Sequence, residues 1–352
     1  MRRRTVLTTA AAASLGGCAP AAARTGAPSP PAPPRREHQP GVVAPPSGFA
    51  TLVALDVTGS ALDRPLVALA ARIKAATPAT VTLGAGASLF DDRFGLSGVR
   101  PRALTTMPSF PSDVLEPARC HGDLLLQVCA ETPDEAEAVA DDLARSAGAA
   151  LSTRWRVNGF RGENTVTAGG LPTTRNLFGF REGAGNPDPR DDTLMDRLVW
   201  AGDGEPAWAA GGTYQVVRLI RFAEQLWNRD PVVRQEEMIG RHRADGAPLA
   251  GGPEDAAFTY AGDPDGRVTP LDAHIRRANP RSADSQDHRI LRRAYSYAEG
   301  LVFICFQRDV ESGFATVQRR LAGEALERYV LPFGGGYYFV PPSVEALRRL
   351  AE

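Results

Sequence analysis

Residues 122–130 read GDLLLQVCA and residues 300–307 read GLVFICFQ. Each is a glycine leading into an unbroken apolar run of strand length, too short for a buried helix and bounded by turn residues. The first is followed by Thr132-Pro133-Asp134-Glu135, a capping box with proline at the first helical position. Apolar Ala136, Val139, Ala140 and Leu143 then recur at i, i+3, i+4 and i+7, which predicts a helix. The second run is followed by a helical stretch near Phe314–Leu321. Each run also has an earlier strand partner, FATLVALDV at 49–57 and TYQVVRLIRF at 213–222. The spacing predicts further helices over 64–76 and 230–240 and a last strand over 337–340. One layout is used twice. Strands and helices lack the regular alternation of a doubly wound sheet, and no glycine-rich phosphate loop follows a strand. The expected fold is therefore α+β: two sandwiches, each an antiparallel sheet with helices on one face, over residues 47–165 and 166–352.

What precedes residue 47 reads as an address. Arg3-Arg4-Thr5-Val6-Leu7 and the short Ala-rich run after it resemble a twin-arginine export signal over residues 1–18. The run is too brief to span a bilayer. It ends in Leu15-Gly16-Gly17-Cys18, which resembles a lipoprotein processing box, with a plain signal peptide as the alternative. Residues 19–46 carry nine prolines among alanine and glycine and read as a disordered tether.

The remaining composition excludes more than it assigns. A net charge of −1 gives no bulk attraction to nucleic acid or to anionic lipid, so membrane attachment is expected only through Cys18. Cys120, Cys129 and Cys305 are odd in number and lack metal-ligand spacing, which argues against a disulfide framework and against a zinc site. Cys129 and Cys305 sit inside apolar strands as small core residues.

Residues 176–187, NLFGFREGAGNP, place a carboxylate between two glycines in a segment built to turn. With GGTYQVVRLIRF, AHIRRANPR (273–281), RILRRAYSY (289–297), GLVFICFQRD and PFGGGYYFVPP (332–342), it resembles the dye-decolourising peroxidases, a haem family that includes exported deferrochelatase/peroxidases. HQPGVVAPP, VTLGAGASLFDDRFGL and GDLLLQVCAE extend the resemblance through the first half, from about His38 to Pro342. It implies tandem ferredoxin-like halves with b-type haem in the second, hydrogen peroxide and a bulky reducing donor as substrates, and leaves open a homo-oligomer.

A haem peroxidase needs an axial ligand, a proton-transferring group and a cation near the developing charge. The chain has five histidines. His274, in AHIRRANPR, matches the family's proximal ligand; Glu324 and Glu327, in LAGEALERY, are both candidates to accept its second N–H. Arg292 aligns best with the distal arginine, with Arg289 and Arg293 close by. Phe180, Gly183, Asn186, Arg276 and Phe303 are the further cofactor contacts that the resemblance implies, with Gly179 and Gly183 bringing backbone close to the porphyrin. The family's acid in the Gly-x-x-Asp-Gly pattern is aspartate; here it is Glu182. Its extra methylene places the oxygens about 1.5 Å further out unless the side chain folds back.

Three functions fit these residues. The first is an exported peroxidase that oxidises phenolic or dye-like donors, with Tyr295, Tyr297, Tyr337 and Trp227 as candidate electron relays. The second is a haem-handling protein of iron uptake, and the third a haem-free binding lipoprotein. The lipid reading has its own test: Cys18→Ser is expected to move the protein from the membrane fraction to the soluble one, checked by cell fractionation, because a diacylated cysteine anchors stably and a cleaved signal does not.

Overall fold

The computed structural model describes residues 37–351 apart from positions 163 and 203. The signal, Cys18 and most of the tether lie outside the described residues. In the first half, β1 (Phe49–Val57), β2 (Thr80–Gly86), β3 (Leu124–Ala130) and β4 (Leu151–Phe160) carry α1 (Asp63–Ala75) and α2 (Pro133–Arg145). A small hairpin sheet follows, of β5 (Asn164–Val166), β6 (Pro172–Arg175) and β7 (Arg181–Glu182), then α3 (Asp192–Leu198). The second half contains β8 (Thr213–Phe222), α4 (Glu224–Trp227), α5 (Val232–Ile239), α6 (His274–Ala278), β9 (Leu291–Arg292), β10 (Tyr295–Tyr297) and β11 (Gly300–Gln307). It ends with α7 (Thr316–Leu321), β12 (Val330–Val340) and α8 (Val344–Arg348). The N-cap of α2 forms as its sequence predicts: the Thr132 hydroxyl accepts the Glu135 N–H.

The two sheets share both edges. β2 pairs antiparallel with β12, Gly86 opposite Tyr338 and Ala85 opposite Phe339. At the other edge β10 bridges β4 and β11, with Ser296 opposite Phe160 and Tyr295 opposite Val302. The order β4-β1-β3-β2-β12-β8-β11-β10 therefore returns to β4 and leaves neither half with a free edge there. One cluster, with Leu52, Leu125, Val217, Ile304, Phe306 and Tyr338, packs between the halves. The other faces of the same strands, with Leu55, Leu126, Val216 and Phe339, pack against the helical layer through Leu66, Leu69, Ala140 and Leu143. Both faces are covered, so β3 reads as an apolar run rather than an alternation. Its one polar side chain, Gln127, is fully buried and satisfied by Gln215 Nε2 of β8 at 2.8 Å.

The tether is shorter than the proline content implies. Gln39 is buried, donating to the Leu83 and Pro341 carbonyls and accepting the Leu83 N–H. His38 stacks on Trp200 at 3.6 Å between ring centroids. The fold thus begins before residue 47. Pro40 opens a short 3-10 turn, Pro40–Val42, where a missing N–H donor costs nothing.

One buried ion pair joins the halves. Arg218 of β8 and Asp113 of the first-half loop are 2% and 1% exposed and directly bonded. The Arg218 guanidinium also lies over the rings of Phe110, at 5.3 Å, and Phe314, at 6.0 Å. Removing one partner strands the other charge. Asp113→Ala is expected to cost about 3–5 kcal/mol in denaturant unfolding, and Asp113→Leu combined with Arg218→Met to recover most of it.

Candidate functional site

His274 opens α6, and its position is set from two sides. The C-terminus of α5 ends on Gly240 at φ +92°, where a Cβ would come within 2.6 Å of the Ile275 side chain. Glycine at that left-handed cap lets α5 and α6 touch. From the other side, Arg277 donates to the Arg320 and Ala322 carbonyls at 2.8 and 2.7 Å, tying α6 to the segment leading into Glu324. The result is a 2.7 Å hydrogen bond between His274 Nδ1 and Glu324 Oε2. Glu327 is turned away and accepts the Gly323 N–H. Of the two acids that sequence left open, Glu324 is the one that reaches the imidazole.

The Glu324 side chain is 6% exposed, whereas His274 keeps 30% of its side-chain surface accessible. Burial works against its protonation, but the charge and hydrogen bond of Glu324 outweigh it and raise the imidazole pKa above its ordinary value. The imidazole therefore keeps surface open to a ligand while its partner is buried. Arg292 and Glu182 both act electrostatically on His274, and Glu182 acts on Arg292, so the three groups share one region.

The other two groups are positioned by asparagines of the 176–187 stretch. Asn186 accepts from Arg292 at its backbone N (3.1 Å) and its Nε (3.2 Å), and its amide donates to the Arg292 carbonyl at 2.8 Å. Asn176 Nδ2 donates to Glu182 Oε1 at 2.6 Å. Asn186, expected as a cofactor contact, is therefore the brace of Arg292. Gly183 sits at φ +114°, and a Cβ there would lie 2.4 Å from the Pro172 carbonyl oxygen. Gly179, at φ +83°, would meet Arg243 Nε at 2.4 Å. Both glycines sit at left-handed φ, and Gly183 is also pressed against the hairpin backbone.

Two other expected contacts also have protein partners. Arg276 donates to the Asp263 carboxylate and to the Asp263 and Thr269 carbonyls, and its guanidinium lies 4.6 Å over the Tyr260 ring. It braces the loop before α6. Phe180 is buried in a cluster with Phe178 and Trp227. Phe303 lies two residues from Cys305, which pairs with Arg292, so Phe303 and Arg292 belong to one face of the sheet.

Of the cations around Arg292, the sequence singled out Arg289 but not Arg241 or Arg281. Burial depresses the pKa of Arg241 (to about 10), Arg281, Arg289 and Arg292, and repulsion from neighbouring arginines adds to it in Arg241, Arg289 and Arg292, while Tyr260 partly offsets it in Arg281. Arg281 and Arg289 have no acidic partner among the described residues, and Arg281 Nε is buried without any hydrogen bond. Its guanidinium is stacked 4.3 Å over Phe258, and its backbone is left-handed at φ +61°. Such a cluster, short of acid, suits an anionic ligand. Arg281 was legible as the last residue of AHIRRANPR, but not as a cation that meets aromatic side chains, Phe258 and Tyr260, and no carboxylate among the described residues.

The loop ahead of His274 depends on Asp263. Its carboxylate accepts the backbone N–H of Thr269, Val268 and Arg267 and pairs with Arg276. These bonds, Thr269 first, lower its pKa below the ordinary 3.8. A depressed carboxylate stabilises the fold above its unfolded value, and that contribution is lost as pH falls through the folded one. Amide-exchange protection at 267–269 is therefore expected to weaken below about pH 4. Asp263→Ala is expected to abolish it at neutral pH, with hydrogen-exchange mass spectrometry as the check.

Residues 39–161 match the family description "Dyp-type peroxidase, N-terminal", and residues 173–345 match "Dyp-type peroxidase, C-terminal". A deferrochelatase of Escherichia coli (strain K12) is 47% identical over 278 residues, 76% of this chain and 66% of that protein. The chain thus spans 66% of the length of the curated relatives it matches. A DyP-type peroxidase from Cellulomonas bogoriensis superposes with a TM-score of 0.80 at 35% identity, covering 90% of this chain and 96% of that one. Ferric DtpA from Streptomyces lividans does so with 0.80 at 34%, again covering 90% and 96%. Matched over both halves in sequence and across almost the whole described fold in structure, the chain belongs to the Dyp-type peroxidase family.

Proposed function

We propose that this protein is an exported haem peroxidase that uses hydrogen peroxide to oxidise bulky phenolic or dye-like donors. The observation that carries the reading is the His274–Glu324 pair. A histidine whose Nδ1 is held by a buried carboxylate, and whose other nitrogen has no protein partner among the described residues, is set up as a metal ligand. The residues present fit haem b: one oriented imidazole, an accessible interior face, and buried arginines short of acid that suit the two carboxylates of the porphyrin. Bound there, haem would supply the iron at which peroxide is split and from which oxidising equivalents reach a donor.

The chain's own groups divide the remaining work. Glu182 takes the proton from the inner oxygen of peroxide and returns it to the outer oxygen, which leaves as water. Arg292, fixed by Asn186, holds negative charge on the outer oxygen. Glu324 keeps the His274 tautomer that leaves Nε2 free to bind iron. Trp227, edge-on to Tyr329 at 5.1 Å and near Phe180 at 6.0 Å, is one of four relay candidates, with Tyr295, Tyr297 and Tyr337. Export through the twin-arginine signal and a lipid anchor at Cys18 belong to the same proposal.

A second reading, a haem-handling protein of iron uptake, is favoured by one observation: the curated relatives are named deferrochelatase. Absorption spectroscopy and stopped-flow mixing with peroxide decide between these. His274→Ala is expected to lose bound haem. Glu182→Gln is expected to retain haem and to react with peroxide about 10²–10⁴-fold more slowly. A Gln variant as fast as the native protein would remove Glu182 from the chemistry. Native and Gln forms that are equally slow would favour haem handling.

A further inference from the structure

We infer that Asn176 is the positioning residue that fits a glutamate, in place of the family's aspartate, to this site. The inference rests on the reading of Glu182 given above and concerns what makes that longer carboxylate usable. The hairpin fixes the geometry. Asn176 N–H donates to the Phe180 carbonyl at 3.0 Å, Gly179 N–H returns to the Asn176 carbonyl at 2.9 Å, and Thr174 stands opposite Glu182. Positions 176 and 182 are therefore diagonal neighbours on one face, within reach of long side chains.

The side-chain amide is oriented by the turn itself. Asn176 Oδ1 accepts the Phe180 N–H at 3.1 Å, so its nitrogen is the end presented to Glu182, where it donates to Oε1 at 2.6 Å. Glu182 Oε2 has no protein partner among the described residues, which leaves one oxygen held and the other available to a ligand. A glutamate has one more rotatable bond than an aspartate and its oxygens extend about 1.5 Å further. Anchoring Oε1 removes that freedom. An aspartate at 182 would fall short of the same donor, so Asn176 and Glu182 form a matched pair. Asn186 restrains Arg292 in the same manner ten residues on.

The test is cyanide association with the haem-loaded protein at neutral pH, followed by stopped-flow absorption. The ligand arrives as HCN and must give its proton to a group in the site, so the rate reads the placement of the base without turnover. Asn176→Asp keeps an oxygen for the Phe180 N–H but sets a carboxylate against Glu182. It is expected to slow association about tenfold in the native background. In the Glu182→Asp background, where no bond to residue 176 is made, the same change is expected to alter the rate less than about twofold. If Asn176→Asp fails to load haem, Asn176→Ser, whose hydroxyl still serves the turn but cannot reach Glu182, is read in its place with the same expectation. Native-rate binding in these variants, or equal slowing in both backgrounds, would reduce Asn176 to a turn residue and overturn the proposal. Glu182→Gln separates the two levels of the argument: if it binds cyanide at the native rate, the carboxylate itself is not the base and both readings fall.

Discussion

The site is organised around one hydrogen bond, 2.7 Å between His274 Nδ1 and Glu324 Oε2. It joins two segments fifty residues apart, neither of which is positioned by its own secondary structure, since α6 is a single short turn and Glu324 precedes a 3-10 turn. Their meeting depends on Gly240, which lets α5 press on α6, and on Arg277, which holds the Arg320–Ala322 backbone. Burying a carboxylate is expensive unless its charge is met. Glu324 meets that condition through His274, and the imidazole is thereby fixed in orientation and tautomer.

The same economy recurs with opposite sign around Arg292. Arg241, Arg281, Arg289 and Arg292 are desolvated and repel one another, with Glu182 the acid that acts on Arg292. Such a cluster is unfavourable in the absence of an anion, and it is held in place by carbonyl acceptors and aromatic faces: Gly246 and Glu254 carbonyls for Arg241, the Phe258 ring for Arg281. The barrel supplies the rigidity this demands. Closure at β2–β12 and at β10–β4 leaves β11 paired along its length, so Arg292 hangs from a strand that cannot shift alone.

Much of the fold was legible because its strands are buried on both faces. The runs 49–57 and 213–222 appear as written, and GLVFICFQ is β11 residue for residue. Elements with mixed composition were not. β4, LSTRWRVNGF, turns polar side chains outward and reads as neither period. β12 begins at Val330, seven residues before the expected start, because PFGGG resembles a loop. Those glycines are strand residues under pressure: a Cβ on Gly335 would lie 2.0 Å from the Val217 carbonyl oxygen, and one on Gly334 would lie 2.6 Å from the Arg119 carbonyl oxygen. At the site, residue types were readable and their partners were not. Nothing in LAGEALERY says which acid faces inward, and nothing in AHIRRANPR says that Arg276 pairs with Asp263 while Arg281 meets aromatic side chains.

The central claim is that Glu324 sets the electronic character of His274 as an iron ligand. The iron–imidazole stretching frequency of the ferrous haem-loaded protein, measured by resonance Raman, reads that character directly. A carboxylate accepting the Nδ1 proton strengthens imidazole donation, so Glu324→Gln is predicted to shift the band to lower frequency with haem still bound. An unchanged frequency, or the absence of any iron–imidazole band in the native protein, would contradict the account.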